Sequence, residues 1–167
     1  MSDLWRCGFE VLGEPVGKPA ARAMVVQRGS QYVAILREAD REHPIHRWSG
    51  CIRSAGLPHR LDEPFAGAPL EAHLTFLVPP PQYLIRRGRL LRTWPIVKPD
   101  IDNYCKGLLD ALTSVGFWED DSLIVRAALE KRYAAPGQLP RCQVRIEELL
   151  DPLAPRDVGQ LAMEITG

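Results

Sequence analysis

The order of apolar and polar residues predicts short strands interrupted by two helices. Near the start, Trp5, Cys7, Phe9 and Val11 alternate with Arg6, Gly8 and Glu10, the period of two expected of a half-buried strand, which ends at Gly13. The stretch GEPVGKPAARA that follows is rich in Gly and Pro and reads as a loop. A second strand over residues 23–27, a turn at Arg28-Gly29-Ser30 and a return strand over 31–36 make a hairpin. Residues 44–55 read as the first helix, with Pro44 tolerated in the opening turn and Gly56 beyond the end.

The strongest alternation is Leu70, Ala72, Leu74, Phe76, Val78, a strand that stops at Pro79-Pro80-Pro81. An excursion then runs to about residue 97, and a loop this long inside a small domain is more often functional than incidental. After Asp102, the residues Tyr104, Leu108, Ala111, Leu112 and Val115 share one side of a helix that Gly116 is placed to end. Residues 122–133 alternate again, with Leu123, Val125, Ala127 and Leu129 expected inside, and a turn at Pro136-Gly137 leads to a partner strand over 141–149 in a long hairpin. The tail, 151–167, holds Pro152 and Pro155 and a segment, 158–165, that suits a terminal helix or an arm across a partner subunit. The expectation is one two-layer α+β domain over residues 1–167, with a mixed sheet and two principal helices.

Composition removes several function classes. With 46% apolar and 25% charged residues among 167, the chain matches ordinary globular domains. No apolar run reaches membrane-spanning length, and MSDLWRCGFE lacks the layout of a secretory signal, so the expected location is the cytoplasm and no membrane partner is expected. Cys7, Cys51, Cys105 and Cys142 form no CxxC pair, which speaks against a zinc site and for reduced thiols. Formal net charge is zero, from 21 basic and 21 acidic residues, which at first argues against nucleic acid. Distribution changes that picture: Arg86, Arg87, Arg89 and Arg92 crowd one stretch with Lys98 just beyond, and Lys18 and Arg22 sit in the early loop. These seven are the candidate contacts to nucleic-acid phosphates.

The chemistry is concentrated in KPDIDNYCKGLLDAL and TSVGFWEDD. Pro99 favours extended backbone before it, and on extended chain Asp100 and Asp102 would share one side. Asp102 or Asn103 would cap the helix, and Lys106, one turn in, would share a polar face with Asn103 and Asp110, the latter pairing with Lys106. If the strand after Asp121 lies beside one ending in Asp100, the acids Asp100, Asp102, Asp120 and Asp121 gather at strand ends. Such an oxygen-rich site suits Mg²⁺ or Mn²⁺, which could polarise a phosphodiester and stabilise the leaving 3′ oxygen. Lys106 would neutralise transition-state charge or orient the attacking water. Tyr104, Phe117 and Trp118 read as core, and none of the four histidines has a spacing that suggests a role.

At these residues the sequence resembles the RusA family of Holliday-junction resolvases, found in prophages and bacteria. The family's Asp-x-Asp-Asn opening stands here as Asp100-Ile101-Asp102-Asn103, its lysine one turn later as Lys106, and its closing pair as Asp120-Asp121 in GFWEDD. A looser match is GEPVGKPAAR, where Ala20 and Ala21 occupy places more often basic. The likeness is specific over 98–133. It implies a RusA-like fold and Asp100, Asp102 and Asp121 as catalytic ligands of Mg²⁺, with Mn²⁺ able to substitute. Asp120 would be a supporting ligand and Lys106 catalytic. It further implies a homodimer that resolves four-way junctions by paired nicks in recombination and repair, and two-fold symmetry of the cuts calls for two related sites. Other readings of the same residues are a flap or fork endonuclease, a protein that binds branched DNA without cutting it, and a protein that holds a cation only for stability.

Overall fold

A strand with apolar side chains on one face and neighbours on both edges belongs at the centre of a sheet, and Leu70–Val78 (β4) occupies that place. The computed structural model describes residues 4–19, 22–37 and 39–150, so the tail read as a helix or arm lies outside the described residues. Arg6–Leu12 (β1), Ile124–Tyr133 (β7) and Arg141–Glu148 (β8) complete a sheet in the order β1-β8-β4-β7. β4 pairs antiparallel with β8, Leu74 opposite Val144, and parallel with β7, Leu74 opposite Leu129. The sheet is therefore mixed and the architecture α+β, as expected.

The long hairpin expected after the second helix does not form, because β4 lies between β7 and β8. The alternation in β4 makes it the most deeply buried strand, with Leu70, Ala72, Leu74 and Phe76 almost wholly covered. Inserting it between the other two covers more apolar surface than pairing them directly would. β7 is left at the edge, and Val125, expected inside, is 63% exposed.

Two helices cover the apolar face: Pro44–Gly56 (α1) and Ile101–Thr113 (α2). Phe76 stacks on Tyr104 at 5.2 Å between ring centres, and Leu108, Ala111 and Leu112 of α2 join Trp48 and Ile52 of α1 in the core. Gly56 belongs to α1 rather than following it; its missing side chain makes room for Leu112, whose Cδ2 would lie 2.6 Å from a Cβ there. The other sheet face is polar, with Glu71 bonded by Arg126 at 3.2 Å and Glu10 by Arg141 at 2.9 Å. This one-sided cover makes the domain two-layered.

Two ribbons stand apart from this sheet. Arg22–Arg28 (β2) and Gln31–Arg37 (β3) pair with each other around a turn with Gly29 at φ 63°. Within the excursion, Ile85–Arg86 (β5) and Arg89–Leu90 (β6) pair around Arg87 and Gly88, both with positive φ, as a type I′ turn requires.

Candidate active site

Asp100 is the residue that caps α2, with extended backbone (φ −70°, ψ 153°), and Asp102 lies inside the first helical turn. The two therefore do not sit on one side of an extended strand, and neither Asp102 nor Asn103 is the cap. The Asp100 carbonyl accepts from the Asn103 N–H at 3.2 Å, but the Asp100 side chain makes no capping bond. The carboxylate is thus left at the positive end of a helix with its lone pairs unused by that end. Asp102 and Lys106 are both exposed and one turn apart.

The segment that carries Asp100 is a loop, not a strand, and side chains from elsewhere hold it. Lys131 of β7 donates to the Val97 carbonyl at 2.8 Å and to the Pro99 carbonyl at 2.9 Å, with its ammonium 5.9 Å from the centre of the Tyr104 ring. From the other side, Gly17 approaches so closely that a Cβ there would stand 2.6 Å from the Pro99 Cβ. The neighbouring Lys18 N–H donates to the Asn103 carbonyl at 2.9 Å. The early Gly/Pro loop is thereby laid along the start of α2, and Gly17 is Gly because no larger residue fits.

Asp121 arrives from the far end of the helix. Gly116, at φ 69°, reverses the chain, and Phe117 and Trp118 enter the core as expected. The Phe65 N–H donates to the Phe117 carbonyl and the Glu119 N–H to the Phe65 carbonyl, at 3.2 and 3.0 Å, while the Trp118 indole donates to Thr113 Oγ1 at 2.7 Å. The pinned segment delivers Asp120 and Asp121 to a short 3₁₀ turn over Asp121–Leu123 before β7. Asp120 caps it, accepting from the Ser122 N–H at 2.8 Å, and its bonds with Ser122 hold its carboxyl below the usual carboxylate range.

Burial raises the Cys105 thiol, and the charges of Asp102 and Asp121 raise it further. The 3₁₀ turn that begins at Asp121 packs against α2, which carries Asp100 at its cap and Asp102 in its first turn. The four-acid cluster at strand ends does not form: among the described residues no three His, Cys, Asp or Glu side chains are close enough to hold an ion together. Like charges repel, and Asp120 is committed to its turn. The donor chemistry nonetheless fits a hard dication, since Asp100, Asp102 and Asp121 are exposed oxygen donors with no ion pair among the described residues.

Lys18, expected to face DNA, instead pairs with Asp110 across the loop–helix contact, so Asp110 does not pair with Lys106. It still lines a groove of about 1030 Å³ bounded by the Gly13–Pro19 loop and the starts of both helices, together with Arg47, Lys98 and Asp100. Arg47 was missed because it sits alone on a helix with no sequence neighbour of like charge. Arg86, Arg87, Arg89, Arg92 and Lys98 are all exposed. Arg22 opens β2.

Against this geometry the comparisons with known proteins are decisive for the family. A model of the family described as Endodeoxyribonuclease RusA matches residues 13–147. The chain belongs to the RusA endodeoxyribonuclease family. The match reaches back to Gly13 and so takes in the early loop, beyond the 98–133 segment over which the resemblance was specific. RusA membership implies a Holliday-junction-resolving endonuclease. A Bacillus subtilis (strain 168) protein described as uncharacterized protein YqaN is 28% identical over 149 residues, covering 84% of this chain and 95% of that protein. No helix among the described residues is long and apolar enough to cross a membrane.

Proposed function

We propose that this RusA-family protein is a Mg²⁺-dependent endonuclease that resolves Holliday junctions as a homodimer in DNA recombination and repair, in the cytoplasm of a bacterium or its prophage. What supports the reading is the RusA family match over residues 13–147, together with the packing of the 3₁₀ turn that begins at Asp121 against α2, which carries Asp100 at its cap and Asp102 in its first turn. Asp100, Asp102 and Asp121 would hold the divalent ion, with Asp120 supporting the turn that presents Asp121. Bound there, the ion would supply charge to the scissile phosphate and to the leaving oxygen.

The chain's own residues supply the rest. The exposed Lys106, four residues along α2 from Asp102, would neutralise charge that builds on the phosphate in the transition state. The arginines of the excursion and Lys98 would bind phosphates flanking the cut, and Arg47 those in the groove. Tyr104 keeps its proton, its hydroxyl pushed up to about 12 by burial and then by Glu14, so it supports the site as a neutral wall. Two sites in a two-fold dimer would give paired nicks.

The test is a panel of labelled substrates, four-way junction, flap, fork and duplex, incubated with wild-type protein across Mg²⁺ and Mn²⁺ concentrations. Symmetric nicks in the junction alone are expected. Cutting of flaps or forks as efficiently as junctions would replace resolution with a broader branch specificity, and no cutting of any substrate would end the nuclease reading.

A further inference from the structure

The excursion between β4 and α2 carries more than charge. Tyr83, Leu91, Trp94, Ile96 and Val97 are all largely exposed, at 71, 56, 56, 78 and 56%. The other tryptophans are not: Trp48 and Trp118 are 2 and 1% exposed, and Trp5 packs on Phe65 at 5.0 Å. An aromatic ring of this size left in water forgoes the burial that normally stabilises it. Here the backbone on both sides of the ring is also anchored. The Tyr133 N–H donates to the Thr93 carbonyl at 2.8 Å on one side of Trp94, and Lys131 to the Val97 carbonyl at 2.8 Å on the other.

From this we infer that Trp94 is a preorganised stacking platform for an unstacked nucleobase of branched DNA, next to the strand that is cut. The inference rests on the nuclease reading and deepens it. Two observations favour a base over a protein partner, and the nature of a branch agrees with them. The exposed Arg86, Arg87, Arg89 and Arg92, with Lys98, alternate in sequence with the apolar residues and form no ion pair among the described residues, which suits a polyanion. Trp94 lies six residues before Asp100, on the same anchored segment. A four-way junction offers bases at its branch point that have lost a stacking neighbour, so a flat ring there replaces stacking that the DNA no longer has. Phosphate contacts position the backbone but make no contact with the bases; a platform for a displaced base adds one.

The experiment uses wild-type full-length protein without added metal, titrated with a four-way junction carrying 2-aminopurine at the branch and, separately, with duplex of the same sequence. Junction binding is expected to quench the 2-aminopurine and the part of the tryptophan emission that is missing from Trp94→Phe, with duplex doing neither. Trp94→Ala should weaken junction binding about tenfold and restore the 2-aminopurine signal, and Trp94→Phe should keep most of the affinity. The 2-aminopurine quenching by wild type reads the stacking of the branch base directly, and its loss in Trp94→Ala assigns it to Trp94. Junctions bound and cut normally while Trp94 and the branch probe stay unchanged would overturn the platform and leave the nuclease reading standing. Trp94 emission that tracks protein concentration rather than DNA would overturn it in favour of a second copy covering the ring. Failure to bind junctions at all would remove both.

Discussion

Replacing Lys131 with methionine tests whether the loop that bears Asp100 is held by β7. The variant keeps the aliphatic stem and removes the donors to the Val97 and Pro99 carbonyls, at 2.8 and 2.9 Å, along with the cation over Tyr104. Each bond has a charged donor, for which about 1.5–3 kcal/mol is typical when shielded. Both are solvent-exposed, however, so water takes over most of what is lost, and the net cost to global stability is about 1 kcal/mol or less, a few degrees in Tm. The local effect is larger in consequence, since the freed loop must be reordered each time Asp100 is used. If that reordering costs about 1.4 kcal/mol, the Mg²⁺ concentration for half-maximal cleavage rises about tenfold. The assay is a Mg²⁺ titration of single-turnover junction cleavage beside a Mn²⁺ binding isotherm, with Lys131→Arg expected to restore much of the wild-type value. A Lys131→Met protein with unchanged metal dependence in both measurements would refute the anchoring role, whatever its Tm.

Other consequences follow from the same geometry. Gly17→Ala would force a Cβ to within 2.6 Å of Pro99, so a loss of about 1–3 kcal/mol is expected by chemical denaturation. Gly50→Ala on α1, with nothing within 4 Å, should instead stabilise by about 0.5–1 kcal/mol; equal effects at the two positions would contradict the close approach. Asp110→Asn releases Lys18, and because both side chains are more than a third exposed the stability cost should stay under about 1 kcal/mol. Junction binding at low salt should tighten a few-fold by filter binding, and weaker binding would count against a phosphate role for Lys18. Burial raises the Cys7 thiol to about 11 from an ordinary 9.0, so its contribution to stability is complete below pH 9 and is lost as pH rises toward 11. Cys105 and Cys142 shift in the same direction, and a Tm that is flat from pH 9 to 11 would contradict the burial of these thiols.

The sequence showed where strands and helices lie because their periods were clean. Leu70–Val78 is a strand with the predicted bounds, and the first strand hides Trp5, Cys7, Phe9 and Val11 as the alternation required. It did not show pairing order, since alternation in residues 122–133 and 141–149 is equally compatible with a hairpin and with β4 inserted between them. The aspartates were legible as a motif, but their local geometry was not. A shift of the helix start by two or three residues turned Asp100 into the cap and placed Asp102 inside the turn. Lys131 and Gly17 escaped notice because their roles are long-range. Lys131 reads as one more charge on a strand, and Gly17 as loop composition, until Pro99 is seen against both. Lys18 was read as a free cation because Asp110 lies 92 positions away in sequence.

The central claim is that Asp102 works with Asp100 and Asp121 in cutting DNA rather than in holding the fold. Its most direct test compares wild type with Asp102→Asn on a labelled mobile four-way junction in Mg²⁺, measuring binding, cleavage and Tm on the same preparations. The account predicts a variant that binds the junction with wild-type affinity and melts at the wild-type temperature or above, yet makes no nicks. A variant that still nicks at the wild-type rate, or that loses cleavage only because it melts well below wild type, would contradict it.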